Sequence, residues 1–161
     1  MSVTAFDLAG PLPEGTFAIE ASAGTGKTYA LAALAVRFLA ERDVSVSQLL
    51  VVTFTRAATA ELRDRISRRI AEAVAHLDPQ RDPVAVDDPL LTHLAATDSD
   101  ERVRRHARLV TALSDFDTAT ISTIHAFANS VLASLGVTSG VDTGAGLAAG
   151  TDDLDAACAD V

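Results

Sequence analysis

A chain of 161 residues with 48% apolar side chains is long enough for one packed domain and too apolar to stay disordered through most of its length. A formal net charge of −9 excludes a uniformly basic nucleic-acid binder, and the single cysteine, Cys158, excludes an intrachain disulfide and any multi-cysteine metal site, which fits a reducing cytoplasm. Residues 1–10 lack the basic n-region of a secretory signal, and the apolar stretch carrying Lys27, Arg37 and Arg42 is too interrupted to span a bilayer, so no membrane association is expected.

Charge is unevenly distributed along the chain. Up to Arg108 there are 15 acids and all 13 bases; beyond it there are 7 acids and no base. Between Arg56 and Arg69, 5 arginines face 2 acids, a local excess of +3 that leaves room for a phosphate-binding stripe on an acidic protein.

In chain order, residues 7–15 (DLAGPLPEG) read as an opening loop, with two prolines and two glycines. TFAIE, 16–20, reads as a short strand, and the loop Ala21–Thr28 follows directly. Residues 27–41 predict a helix with Leu31, Leu34, Ala35 and Phe38 on one stripe and Arg37, Glu41 and Arg42 off it. LLVVTF, 49–54, is a continuous apolar run, as expected of a parallel strand buried on both faces.

Ala57–Leu77 carries Leu62, Ile66, Ile70, Val74 and Leu77 at helical spacing, and Asp78-Pro79 stops it. Residues 78–100, rich in proline and aspartate, read as a surface loop with one short helical turn. Glu101–Leu113 predicts a helix with Val103, Ala107 and Val110 inward; Ala119–Ile124 predicts a strand and His125–Leu135 the helix after it. Beyond Gly136 small residues and glycines read as a linker. Strands alternating with helices at this pitch predict an α/β fold with a parallel sheet.

Ala21, Ser22, Ala23, Gly24, Thr25, Gly26, Lys27 and Thr28 form A-S-A-G-T-G-K-T, close to the phosphate-loop pattern G-x-x-x-x-G-K-[ST] with alanine at the first position. Such a loop suits ATP. Gly24 and Gly26 let backbone N–H groups approach the phosphates, and the following helix turns the positive end of its dipole toward them. Lys27 reaches the β- and γ-phosphates, and the Thr28 hydroxyl holds Mg²⁺. Lys27 is the only lysine in the chain. A strand before the loop and an amphipathic helix after it favour this reading over a glycine-rich turn that binds nothing.

IEASAGTGKTYALAAL resembles motif I of the superfamily-1 helicases in their RecB form, where alanine at the first loop position is usual. VVTFTRAATAELRDRI, 51–66, resembles motif Ia of the UvrD and RecB helicases, and TATISTIHAF, 118–127, the short histidine-containing motif that follows it. The opening FDLAGPLPEG is also similar to the start of RecB-type chains, so the likeness covers about residues 5–135.

The resemblance implies a P-loop NTPase with a RecA-like parallel sheet flanked by helices. Residues 1–135 would be the N-terminal part of the first motor domain, and 136–161 a linker and the start of a helical insertion. It further implies an ATP-dependent DNA helicase and exonuclease subunit, acting on single-stranded DNA at DNA ends in break repair and recombination beside RecC- and RecD-like subunits. Thr53, Phe54, Thr55, Arg56 and His125 would line the DNA track through phosphate hydrogen bonds, ion pairing and base stacking.

Other roles suit several of these residues equally. Phe54 closes an apolar strand and suits a core aromatic, His125 suits a helix cap or core edge, Phe127 suits the core, and Arg63, Arg65, Arg68 and Arg69 suit a solvated helix face.

Hydrolysis also needs an acid that holds Mg²⁺ and one that orients water. VAVDD, 84–88, is short and bracketed by Pro83 and Pro89, and Asp152-Asp153 follows no apolar strand. In RecB-type chains this acidic pair lies beyond the helical insertion, so the chain by itself is expected to bind ATP without turning it over. Adenine selectivity is left open, since no glutamine precedes the loop. Two competing readings are a small phosphotransferase, which would need late arginines that are absent after Arg108, and a non-catalytic ATP-binding module.

Overall fold

Alanine dictates the first helix. In the computed structural model, which describes residues 5–20, 26–42, 44–81 and 84–135, helix α1 spans Lys27–Glu41 and carries the strongest helix former at five positions. Small side chains let neighbouring helices approach closely, and Ala32, Ala33, Val36, Leu39 and Ala40 are almost wholly excluded from solvent. The expected stripe is only half right. Leu34 and Ala35 are buried and Phe38 partly so, but Leu31 is exposed and Arg37, placed off the stripe, is buried. The reason is that α1 packs against three other helices, which enclose it on several sides from Ala32 onward.

A 3-10 turn at Val46–Gln48 leads into strand β1, Leu50–Thr53. Helices α2 (Arg56–Leu77), α3 (Pro89–Ala95) and α4 (Ser99–Ser114) then connect β1 to strand β2, Thr120–Thr123. The strands pair in parallel, with Leu50 opposite Thr120 and Thr53 opposite Thr123. Parallel pairing requires such a long crossover. Helix α2 packs against both strands as well as α1, α3 and α4, and so stands at the centre of the structure. Its stripe is close to expectation: Leu62, Ile66, Ile70, Ala73 and Leu77 are buried, with Val74 partly buried beside them. Helix α5, Ile124–Leu135, opens a second compact unit, Ile124–Val161, after the first, Met1–Thr123.

Two expectations are corrected. Residues 16–20 form no strand, because no backbone ladder partner meets them among the described residues. Strand β1 is not buried on both faces: Val51 packs on the core while Leu50 and Val52 are about half exposed. The parallel sheet expected of the fold is present, with two strands among the described residues and α2 packed against both.

Helix α4 turns a different face inward. Val103, Ala107 and Val110 are exposed, and the inner stripe is Arg105, Arg108, Leu109 and Ala112. Arg105 Nη1 donates to the Leu94 carbonyl at 3.0 Å and Arg108 Nη1 to the Ala40 carbonyl at 2.9 Å. Those carbonyls belong to the last turns of α3 and α1, where no intrahelical partner exists. Arginine satisfies them and adds a cation at the negative end of each dipole, which outweighs burying one more valine. The short helix in 78–100 exists as expected, and it is more than a surface turn: Leu90 and Leu94 of α3 are fully buried.

One buried charge ties the opening loop to this core. Arg37 Nη1 donates to the Leu8 and Gly10 carbonyls at 2.6 and 2.7 Å. Its Nε and Nη2 donate to the two Glu41 carboxylate oxygens at 2.5 and 2.9 Å, and His93 Nε2 lies 3.1 Å from Glu41 Oε1. Burial pushes the Glu41 carboxyl up, but the Arg37 hydrogen bond and charge, with His93 and Arg105 nearby, outweigh it and hold the group below its ordinary range.

Two predictions follow from this packing. Ile70→Ala lowers unfolding free energy by about 3 kcal/mol, the usual cost of a large core truncation. Leu31→Ala and Val103→Ala cost less than about 0.5 kcal/mol each, as surface changes do; urea denaturation separates the two classes. Glu41→Gln leaves Arg37 buried without its counter-charge and costs about 3 kcal/mol. Because the folded carboxyl titrates below its unfolded value of about 4.3, its stabilisation is complete above that pH and disappears as pH falls through the folded value. Wild type therefore loses stability in that acid window more steeply than Glu41→Gln, measured by denaturation across pH 3–6.

Candidate phosphate- and nucleic-acid-binding site

Gly26 starts α1 in the left-handed region, with φ 87° and ψ 21°, a conformation that costs other residues about 1–2 kcal/mol. Its carbonyl accepts the first helical hydrogen bond, from Ala30 N–H at 2.9 Å. A glycine in this position carries no side chain to satisfy the first-turn N–H groups, and that turn contains no acid. Lys27 is exposed and Thr28 partly buried in the same turn. A helix N-terminus with a cation, a hydroxyl and no carboxylate is chemically suited to an anion. It also suits a divalent ion that an anion brings with it, through the Thr28 hydroxyl. Ala21, Ser22, Ala23, Gly24 and Thr25 lie outside the described residues.

The second group lies where β1 ends. Phe54 is 85% exposed, which removes the core-aromatic alternative and leaves an open ring face. Thr55 is the N-cap of α2: its Oγ1 accepts from Ala58 N–H at 3.1 Å. A hydroxyl that accepts one bond still has its proton to donate. Thr53 Oγ1 lies 3.4 Å from the Thr55 N–H, within the same turn. Arg56 is exposed at the first helical position, with no ion-pair partner among the described residues. Register pairs Thr53 with Thr123, so the chain leaves both strands at one edge of the sheet. His125 is exposed in the first turn of α5, and Phe127 is partly buried.

The remaining arginines of α2 divide in two. Arg65 and Arg68 form exposed pairs with Glu61 and Asp64, one turn before each, a solvated face as expected. Arg63 and Arg69 depart from that expectation. Arg63 Nη2 donates to the Ala119 carbonyl at 3.2 Å and its guanidinium lies 5.9 Å from the Phe116 ring centroid, fixing the start of β2. Arg69 is largely buried, paired with Glu72 and Asp88 and held over the Tyr29 ring.

VAVDD makes no strand. Val84 is exposed, and Asp88 caps α3 by accepting from Leu91 N–H at 3.0 Å. Burial raises the Asp88 carboxyl, but Arg69 and the Leu91 N–H outweigh it and hold the group below its ordinary range. Asp152-Asp153 lies outside the described residues.

Sequence reasoning passed over Tyr29. The chain's only tyrosine directly follows Lys27-Thr28, which was the available signal. A cavity of about 370 Å³ lined by Gly10, Arg37, Glu41, His93 and Arg105 is an alternative site, but its charged groups already partner one another and the loop carbonyls. No described helix is long and apolar enough to cross a membrane.

Residues 6–156 match the family of the UvrD/REP helicase N-terminal domain. The chain is 49% identical over 134 residues to RecBCD enzyme subunit RecB of Mycobacterium tuberculosis (strain ATCC 25618 / H37Rv), covering 82% of this chain and 12% of that protein. It is 48% identical over 151 residues to the Mycolicibacterium smegmatis subunit, covering 92% and 13%. The Escherichia coli (strain K12) subunit is 41% identical over 128 residues, covering 74% and 10%. The chain thus spans about an eighth of the length of its mycobacterial relatives.

Gly26→Ala forces a left-handed alanine and lowers stability by about 1 kcal/mol. Thr55→Ala removes the α2 cap at a cost of about 1 kcal/mol, while Thr55→Ser keeps it; thermal denaturation of the three variants checks both positions.

Proposed function

The chain belongs to the UvrD/REP helicase family and is of RecB type, and from that premise we propose that it supplies the phosphate-gripping turn and part of the DNA track of an ATP-dependent helicase motor. The observation that carries this reading is the start of α1: a left-handed glycine followed by Lys27 and Thr28 in a turn without acids.

In this reading Lys27 neutralises the terminal phosphates, first-turn N–H groups cradle them, and the Thr28 hydroxyl contributes to Mg²⁺ binding. Mg²⁺, when bound, offsets phosphate charge and polarises the bond to be broken. Gly26 keeps side-chain bulk away from the phosphates, as do Ala21, Ser22, Ala23, Gly24 and Thr25 with small residues in sequence.

Thr53, Phe54, Thr55 and Arg56 form the DNA-facing group, with His125 assigned to it by its motif. Phe54 presents a ring for a base, Arg56 a charge for a phosphate, and Thr55 a hydroxyl proton. By homology with RecB subunits the function is DNA-end processing in break repair, beside RecC- and RecD-like subunits. Among the described residues neither strand ends in a carboxylate: Phe54 follows β1 and Ile124 follows β2. The chain by itself therefore binds Mg-ATP without sustained turnover.

Titration calorimetry with Mg-ATP tests the nucleotide half. Wild type binds, Lys27→Ala binds at least about tenfold more weakly through loss of a charge-assisted contact, and neither releases phosphate steadily. Anisotropy with a fluorescent single-stranded oligonucleotide tests the other half. Phe54→Ala costs about 1–3 kcal/mol of binding, and Arg56→Ala lowers the salt slope by about one unit. Equal Mg-ATP affinity in wild type and Lys27→Ala would sink the nucleotide assignment, and DNA binding indifferent to Phe54 and Arg56 would sink the track.

A further inference from the structure

Three helices meet at one guanidinium. Arg69, midway along α2, donates from Nη2 to Asp88 Oδ1 at 2.9 Å, and its Nη1 lies 2.9 Å from Asp88 Oδ2 and 2.7 Å from Glu72 Oε2. Asp88 in turn caps α3. The Cζ of the same group lies over the ring of Tyr29, 5.3 Å from its centroid, in the first turn of α1 beside Lys27 and Thr28.

We propose that Arg69 is a positioning residue for the phosphate-gripping turn: held over the Tyr29 ring and paired with Asp88, it fixes the orientation of Lys27 and Thr28 relative to α2. The proposal rests on the ATP-binding reading above and adds to it a physical connection to the DNA-facing end of the same helix.

The geometry favours orientation over simple cohesion. An apolar side chain at this junction would hold three helices together as well as an ion pair does, without the cost of desolvating charge. What a guanidinium adds is a rigid fork of donors: the carboxylates on its nitrogens fix where the cation lies, and the aromatic ring beneath it is drawn to that place. The Tyr29 hydroxyl is pushed above its ordinary range by burial and then by the Asp88 charge, so the ring sits close to this acidic clamp.

Beyond Ala32 α1 is held by packing, whereas its residues 27–31 are exposed or only partly buried. The contact of Arg69 with Tyr29 reaches back into that less enclosed turn. Arg69 lies 13 residues after Arg56 on one continuous helix, about 20 Å at the α-helical rise, so α2 joins the clamp to the Thr55–Arg56 end as a rod.

Two readouts on the intact chain test this, one of them independent of nucleotide. Hydrogen–deuterium exchange follows peptides covering 26–32 and 33–40, and calorimetry follows Mg-ATP. Arg69→Met and Tyr29→Leu each speed exchange in 26–32 about tenfold without changing 33–40. Each also weakens Mg-ATP about fivefold, the double variant no more than either single one, while Tyr29→Phe behaves as wild type. Arg69→Lys keeps the charge, loses the fork that meets Asp88 and Glu72 together, and falls with Arg69→Met; it carries the test should the methionine variant not fold.

Asp98→Ala, which removes the cap of α4, serves as a control that lowers stability without touching the turn. Unchanged exchange in 26–32 overturns the proposal, as do losses that add in the double variant or that Asp98→Ala reproduces. If wild type binds no Mg-ATP, the functional reading fails, and exchange alone then decides for or against the clamp.

Discussion

The structure depends on the enclosure of α1. Its alanine-rich surface lets α2 and α4 close around residues 32–40 until almost nothing of them reaches solvent. A helix held so tightly over its later turns leaves its less enclosed first turn, Gly26, Lys27 and Thr28, at the surface. Positioning by packing is stronger than positioning by loop contacts, since interiors as dense as organic crystals resist small displacements. The chemistry suited to phosphate therefore sits on a rigid mount.

Arginine does most of the joining between elements. Arg37 ties the opening loop to α1, Arg63 ties α2 to the start of β2, and Arg69 gathers α1, α2 and α3. Arg105 and Arg108 close the last turns of α3 and α1. In each case the group meets backbone carbonyls or carboxylates that would otherwise be left unsatisfied. A long side chain with a rigid fork is the residue type able to reach across helices and satisfy several acceptors at once. Much of the chain's positive charge is consequently spent internally, and of the five arginines in the local +3 segment Arg56 alone stands exposed and without an ion-pair partner among the described residues.

The two candidate sites differ in kind. The start of α1 offers a left-handed glycine and the positive end of a helix dipole, chemistry suited to an anion. The end of β1 offers an exposed ring, a capping threonine and an arginine with no ion-pair partner among the described residues. Helix α2 begins at the second and meets the first through Arg69 and Tyr29.

Periodicity and local chemistry made much of this legible in advance. Every predicted helix exists within a few residues of its expected bounds, because helical spacing and stop signals are properties of neighbouring residues. The parallel strand pair was equally readable, since strands alternating with helices favour a parallel sheet. The glycine–lysine–threonine turn followed from residue type alone, whereas the capping role of Thr55 came from the structure. Tertiary structure decided what lies on each side of those elements. Leu31 and Val103 are as apolar as Leu34 and Leu109, yet only the latter pair meets a neighbour. Phe54 closes an apolar run and still points to solvent. Residues 16–20 have strand-forming composition but no partner to ladder with among the described residues. Arg69 reads as a surface charge until α1 and α3 are brought against it. Burial and pairing are relations between segments distant in sequence, so no local pattern contains them.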